Sequence, residues 1–270
     1  ASIRQGIGAL TFIIIMLIKR PKIRLEKRHI YIIIMYALFM MGLGHIFSLL
    51  GQQHINAGLA SIIFSFFPLA VALFSSILMP KQEPFTLKKL IGLLIGIVGI
   101  VLLFYSRGIL DSQNTQIIGI LFVLASVLVN SLPNVVIKRD GADLDPLILN
   151  TFGMGLAAIL LTASAFIFEG NPQVIVTSRL IFAQVYLGVI CSAAAFFLYF
   201  WLLQHISVVK LALSAYLTPL VAVLLGYIFY GEILTLNHYI GMLLIFTGIF
   251  ITEYKHRGSH AHNKLRKKGH

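Results

Sequence analysis

Few side chains in this sequence could do chemistry, and their positions are telling. The acids are Glu26, Glu83, Asp111, Asp140, Asp143, Asp145, Glu169, Glu232 and Glu253. Every one falls between long apolar runs or at the end of one. A carboxylate pair for acid–base work, or a buried proton relay, therefore has no residues inside the runs. Cys191 is the single cysteine, so an intrachain disulfide is excluded, and no CxxC or Cys/His zinc spacing exists. Gly6-Ile7-Gly8 and Gly42-Leu43-Gly44 sit inside apolar runs, without the strand–turn–helix context of a nucleotide-binding loop. His256, His260, His262 and His270 read as part of a solvated tail rather than a metal site. No enzyme, metal or cofactor is expected.

What remains is a set of polar residues within the runs. His45, Ser48 and Gln52 follow i, i+3, i+7 spacing and share a helix face, as do Ser61, Ser65 and Pro68, and Ser126, Asn130 and Asn134. Ser214 and Thr218 pair at i+4, and Ser192 and Tyr199 lie seven apart. In lipid such groups must face protein or a wet cavity. Singly, each is accounted for by a hydrogen bond between helices. Together they suggest a polar cavity for a small solute, contacted by His45, Ser48, Ser65, Asn130, Asn134, Ser192, Tyr199, Ser214 and Thr218. His45 is either a packing histidine or a solute contact, and its imidazole can titrate near neutral pH. Arg4 opens the first run, where an arginine can snorkel to water or edge a cavity. Pro68 and Pro219 lie within runs; each removes a backbone donor and marks a bend or hinge.

The elements that must hold these residues follow from composition. Of 270 residues, 59% are hydrophobic and 11% charged, with mean hydropathy +0.94. A soluble domain is about 45–50% apolar and about 25% charged. A soluble enzyme, a disordered chain and a disulfide scaffold are excluded. Nine runs approach the roughly 20 residues that cross a bilayer: Ile3–Ile18, Ile30–Gly51, Ala57–Met79, Leu87–Tyr105, Ile117–Ile137, Leu147–Phe168, Leu180–Leu203, Val208–Tyr230 and Tyr239–Thr252. Alternate connectors on opposite sides place 18 of the 21 Lys and Arg residues on one side, leaving Arg4, Arg107 and Arg179 on the other. Positive loops stay in the cytoplasm. The net charge of +12 is thus a topology signal rather than a nucleic-acid footprint. The expected location is a bacterial plasma membrane, with the C-terminus cytoplasmic.

An internal repeat organises the runs. Gln53-His54-Ile55 recurs as Gln204-His205-Ile206, and Pro68-Leu69 as Pro219-Leu220, both at an offset of 151. At offset 149, Glu83, Thr86-Leu87, Ile91-Gly92 and Gly99-Ile100 match Glu232, Thr235-Leu236, Ile240-Gly241 and Gly248-Ile249. Ile3–Ile18 then corresponds to Leu147–Phe168, and the counterpart of Ile117–Ile137 would precede Ala1. The expected fold is an all-α polytopic membrane protein with nine visible transmembrane helices, from an inverted 5+5 repeat lacking helix 1. Its parts are a first repeat (1–106), a connector (107–116), a second repeat (117–254) and a basic cytoplasmic tail (255–270). Gly92, Gly96, Gly99, Gly241 and Gly248 permit close helix approach, within the chain or in a homodimer.

The stretch Leu202-Leu203-Gln204-His205-Ile206-Ser207-Val208-Val209 leads to Leu217-Thr218-Pro219-Leu220. Gly231-Glu232-Ile233-Leu234-Thr235 and Gly241-Met242-Leu243-Leu244-Ile245-Phe246-Thr247-Gly248 follow. This pattern resembles the EamA-type branch of the drug/metabolite transporter superfamily, over essentially the whole chain. In the first copy Lys81-Gln82-Glu83 replaces the Gly-Glu turn. The resemblance implies secondary transport of a small amino-acid-like or drug-like solute by alternating access, in the export direction, with Arg4 at the cavity edge. A sugar-phosphate or nucleotide-sugar carrier is the alternative within the superfamily; its anionic substrate wants several buried cations where these runs offer Arg4. A truncated or non-transporting membrane protein is the other alternative. The partners expected are the solute and the lipid bilayer, with no nucleic acid.

Overall fold

The computed structural model describes residues 2–21, 25–105, 116–169, 177–230 and 235–253. Most of the connector, the Gly231-Glu232 turn, and the basic tail with its histidines lie outside the described residues. All nine apolar runs are helical, with ends within three residues of the expected bounds, and no strand occurs among the described residues. Hydrocarbon offers no partner to a peptide group, so each run must satisfy its backbone internally, and a helix does so. Eight of the described helices are long and apolar enough to cross a membrane, and Leu87–Tyr105 is a further 19-residue apolar helix.

In chain order, α1 is Ser2–Lys19. The second span, Lys27–Gln52, comprises α2 (Lys27–Met35), a π-helical stretch (Tyr36–Leu43) and α3 (Gly44–Gln52). The third breaks into α4 (Ala57–Phe64) and α5 (Phe67–Leu78). Next come α6 (Leu87–Tyr105), α7 (Gln116–Asp140) and α8 (Pro146–Glu169). The following span is α9 (Ser178–Gly188), a second π stretch (Val189–Ala194) and α10 (Ala195–His205). Then α11 (Val208–Ala212), a 3₁₀ turn (Leu213–Tyr216) and α12 (Leu217–Tyr230) precede α13 (Leu236–Glu253). Side-chain caps fix several starts: Asn56 accepts from the Leu59 N–H (2.8 Å), Thr86 from the Lys89 N–H (3.2 Å) and Thr177 from the Leu180 N–H (3.2 Å).

The sequence pattern did not announce where the helices would be irregular. Each π stretch inserts extra backbone into a span, and π-helix is a rare state, often found at functional sites. The two π stretches end at Leu43 and Ala194, again 151 positions apart. Pro68 and Pro219 are not mid-helix kinks. Each sits in the first turn of a helix that restarts after a break, at Ser65–Phe66 and at the 3₁₀ turn. A proline costs little there, because first-turn N–H groups have no partner to lose. Pro133, by contrast, lies inside α7.

α7 packs against α3, α4 and α5, α1 packs against α8, and α6 packs extensively against α13. The α6–α13 seam is glycine on glycine. A Cβ on Gly99 would lie 2.7 Å from the Gly241 carbonyl oxygen, and one on Gly248 would lie 2.5 Å from that of Gly92. Gly92 thus faces Gly248 while Gly99 faces Gly241, so the two helices run antiparallel. The glycines serve packing within the chain. The outer surface is apolar, with Ile14, Leu17, Phe182, Ile228 and Phe250 among its exposed side chains. This suits hydrocarbon and would not suit water.

Because the atom facing Gly248 is backbone, Gly248→Ile cannot be absorbed by a rotamer change. Overpacking of this kind costs about 1–3 kcal/mol or more, at roughly 2–4 °C per kcal/mol. Gly248→Ile should lower the unfolding midpoint of the purified protein by several degrees. Gly6→Ala, where nothing lies within 4 Å of the added Cβ, should leave it unchanged or slightly raised.

Candidate functional site

The side chains that could do chemistry divide between the two ends of the helix bundle. At the end where the basic loops gather, every described acid is engaged. Arg28 bonds Glu26 (2.9 Å) and Asp143 (2.6 Å), His29 also reaches Asp143 (3.2 Å), and Arg139 pairs with Asp140 (2.7 Å). Lys89 pairs with Glu83 (3.1 Å), Lys210 with Glu253, and Asp145 accepts from the Leu147 N–H (2.8 Å). Slight desolvation raises the Asp143 pKa, but its own backbone N–H, Arg28 and His29 outweigh this and hold it below the usual carboxylate range. Lys138, near the end of α7, donates to the carbonyls of Leu203 (2.7 Å) and Gln204 (3.2 Å). A cation there satisfies the open C-terminal carbonyls of α10. Gln204 in turn donates to the Leu144 carbonyl (2.7 Å). These ties join the helix ends on the basic side.

A cavity of about 330 Å³ lies halfway along the spans. Its walls are Met40, Ser61, Phe64, Phe67, Asn130, Ala215, Thr218 and Pro219. Met40 belongs to the first π stretch, Ser61 and Phe64 to α4, and Thr218 and Pro219 to the start of α12. The lining therefore gathers around the two helix breaks and one π stretch, where the regular helix gives way. Ser61 and Phe64 carry it toward the end opposite the basic loops. Of the expected solute contacts, Asn130 and Thr218 meet here, beside the expected hinge residue Pro219. The Asn130 side chain lies across Gly44, where any Cβ would collide with it. Its amide donates to Ser126 Oγ (3.1 Å), which donates to the Gly44 carbonyl (2.8 Å).

Asn134 and Tyr199 stand beside this cavity and hold each other. The Tyr199 hydroxyl donates to Asn134 Oδ1 (2.7 Å), and Asn134 Nδ2 donates to the Asn130 carbonyl (2.7 Å). Ser65 and Ser214 donate to carbonyls of their own chain segments, Ile62 and Leu211. They sit at the helix breaks rather than in the lining. The Ser48 hydroxyl accepts from Gln52 (2.7 Å). His45, Arg4 and Ser192 form a second group away from the lining. Arg4 Nη2 bonds His45 Nε2 (2.5 Å), and Ser192 is fully buried against α1. Met40, Ala215 and the buried Gln5 were not singled out from the sequence. Gln5 carried a readable signal, a lone amide inside an apolar run; Met40 and Ala215 carried none.

A second cleft, of about 380 Å³, is lined by Phe12, Ile15, Val189 and Phe197 among others, with Lys19 and Asp145 also on its walls. None of the expected contacts lines it. Hydrogen bonds between membrane helices average about 0.6 kcal/mol and reach about 1.7 kcal/mol. Tyr199→Phe should therefore lower the unfolding midpoint by about 1–6 °C at roughly 2–4 °C per kcal/mol. Asn134→Leu combined with Tyr199→Phe should cost less than the sum of the two single changes, measured as a double-mutant cycle.

The chain was compared with known proteins. The sequence model of the EamA-like transporter family matches residues 1–105 and 117–254. The uncharacterized transporter YoaV of Bacillus subtilis is 28% identical over 255 residues, spanning 94% of this chain and 86% of that protein. The uncharacterized transporter YvbV of the same organism is 28% identical over 262 residues, spanning 97% and 84%. A crystal structure at 22% identity superposes with a TM-score of 0.80 over 93% of this chain and 86% of its own, a likeness of fold. Matched by the family's model over nearly all its length, and built of apolar helices long enough to span a bilayer, this multi-pass membrane protein belongs to the EamA-like transporter family.

Proposed function

We propose that this protein is a secondary transporter that exports a small organic solute by alternating access. The observation that carries this reading is the cavity halfway along the spans. Its walls come from both halves of the chain: Met40, Ser61, Phe64 and Phe67 from one, and Asn130, Ala215, Thr218 and Pro219 from the other. Its volume of about 330 Å³ falls within the range of small-molecule sites, roughly 300–1,000 Å³. The mixture of two aromatic rings, an amide and two hydroxyls suits an amino-acid-like or drug-like solute. With Lys138, Gln204 and Arg28 tying the basic end, the cavity is accessible from the opposite side in this conformer. Parting those ties would expose it to the other side.

An inverted repeat supports the mechanism. Under the repeat, Gly92 corresponds to Gly241 and Gly99 to Gly248. The seam pairs Gly92 with Gly248 and Gly99 with Gly241. This is the reciprocal pattern of a two-fold interface, in which i meets j and j meets i. Equivalent helices that meet antiparallel belong to copies inserted in opposite senses. The matched π stretches, the matched breaks before Pro68 and Pro219, and the family match on either side of 106–116 support the same division. Rocking of one copy against the other about a midplane site is how such repeats work.

The test is uptake of labelled amino acids and hydrophobic amines into proteoliposomes. Asn130→Leu and Thr218→Val should each reduce uptake of a transported solute at least tenfold at unchanged protein content. Undiminished uptake in both would remove this cavity from the path. The sidedness reading predicts that a reporter fused after His270 is active in the cytoplasm of the host cell. An external signal would reverse the orientation, and with it the direction of access.

A further inference from the structure

We propose that Arg4, together with Gln5, His45 and Ser192, binds the carboxylate end of the transported solute, which makes that solute a carboxylic acid, anionic or zwitterionic. The proposal rests on the transport reading above and narrows its substrate class.

Arg4 lies in the first turn of α1, yet it sits against the interior of a neighbouring span. Its backbone carbonyl lies against Gly188, where an added Cβ would be 3.3 Å away. Gly188 closes the 11-residue α9, well inside the 28-residue span Ser178–His205. A charge at such a depth is costly and calls for a counter-charge. None of the acids whose side-chain contacts are described supplies one. Glu26, Glu83, Asp140, Asp143, Asp145 and Glu253 are all occupied at the basic end. The side-chain partner Arg4 does have is His45. A guanidinium can only donate, so His45 Nε2 accepts and the ring is neutral. His45 therefore orients the guanidinium without compensating its charge.

Three polar atoms around this point lack partners among the described residues. Arg4 Nε, Gln5 Oε1 and Ser192 Oγ are buried with no hydrogen bond. Gln5 and Ser192 are themselves 0% exposed. The Gln5 amide donates to the Met41 sulfur (3.3 Å), a weak acceptor, and its oxygen is left over. Gly8, one turn beyond Arg4, brings α1 onto Ser192, where an added Cβ would lie 3.4 Å from the Ser192 Cβ. The unmet atoms thus border the contact between the first turns of α1 and the two π stretches, which supply Met41 and Ser192. Buried polar groups are almost always bonded, so three unpartnered atoms beside an uncompensated cation describe a site waiting for a ligand.

Their chemistry specifies it. The guanidinium fork and the Ser192 hydroxyl donate to a carboxylate, which can accept on both oxygens. Gln5 Oε1 accepts from an ammonium or other N–H next to it. Arg4 remains partly exposed in this conformer and is the first of the group that a solute would meet.

The experiment compares acids with their primary amides. Purified protein is heated with leucine, phenylalanine or benzoate, and separately with leucinamide, phenylalaninamide or benzamide. Bound ligand raises the unfolding midpoint. The expected result is a rise with at least one acid and none with its amide. Arg4→Gln should abolish the rise, and Arg4→Lys, which keeps the charge and loses the fork, should weaken binding at least tenfold. Ser192→Ala supplies a variant certain to fold. Removing an unpartnered hydroxyl should raise the ligand-free midpoint while weakening acid binding several-fold, two changes of opposite sign that a packing role would not produce. Equal midpoints with acid and amide, including no rise with either, would overturn the proposal, as would an Arg4→Gln protein that responds like the parent. If acids bind but proteoliposomes take up none, the transport reading fails while the Arg4 site stands.

Discussion

Hydrocarbon gives a peptide N–H or C=O nothing to bond, and this constraint shapes every part of the protein. It forces the nine apolar runs into helices. It also dictates where helices can be interrupted. The breaks at Ser65–Phe66 and Leu213–Tyr216, and the π stretches Tyr36–Leu43 and Val189–Ala194, each have a face buried against other helices. Ser65 and Ser214 return their hydroxyls to nearby carbonyls at those breaks, and Pro68 and Pro219 follow where a missing N–H costs little. Irregular backbone in a membrane is tolerated where it lines a cavity or is buried in protein. Here the two breaks and the first π stretch adjoin the midplane cavity, and the second π stretch lines the other cleft.

The same constraint sorts the polar side chains. At the basic end they are numerous, ionic and mutually bonded, and they hold helix ends together. Lys138 is the clearest case, since its ammonium closes the carbonyl end of α10 and so joins α7 to that span. At the midplane they are few and neutral, with Asn130 carried on Gly44 and Asn134 held by Tyr199. Beyond the cavity, toward the opposite end, Arg4 and its neighbours are incompletely bonded. The gradient from saturated to unsaturated polar groups follows the direction in which the cavity extends.

Close approach is the other organising feature. The α6–α13 seam depends on glycines meeting glycines, which brings backbones together with no side chain between them. Apolar side chains gain little by leaving lipid for one another, so dense packing takes the place that burial from water holds in soluble proteins. Gly44 beneath Asn130 and Gly8 against Ser192 extend this use of glycine from helix packing to the polar groups themselves.

The existence, number and limits of the helices were legible in the sequence, because a span's length and apolarity are local properties. So was the gathering of the described basic loops at one end of the bundle, and so was a protected face for Asn130 and Thr218, polar residues inside apolar runs. Periodicity could not show that Ser65 and Ser214 would turn back on their own backbone, or that His45 would accept from Arg4. Nor could it show that Met40, Phe64 and Phe67 would wall the cavity, since an apolar side chain reads the same whether it faces lipid, core or solute. Those distinctions depend on how each helix is rotated and on where its hydrogen-bond ladder is interrupted. Both are set by contacts between residues far apart in the chain. The sequence by itself determined which residues are buried in the membrane; the tertiary structure decided which of them face one another.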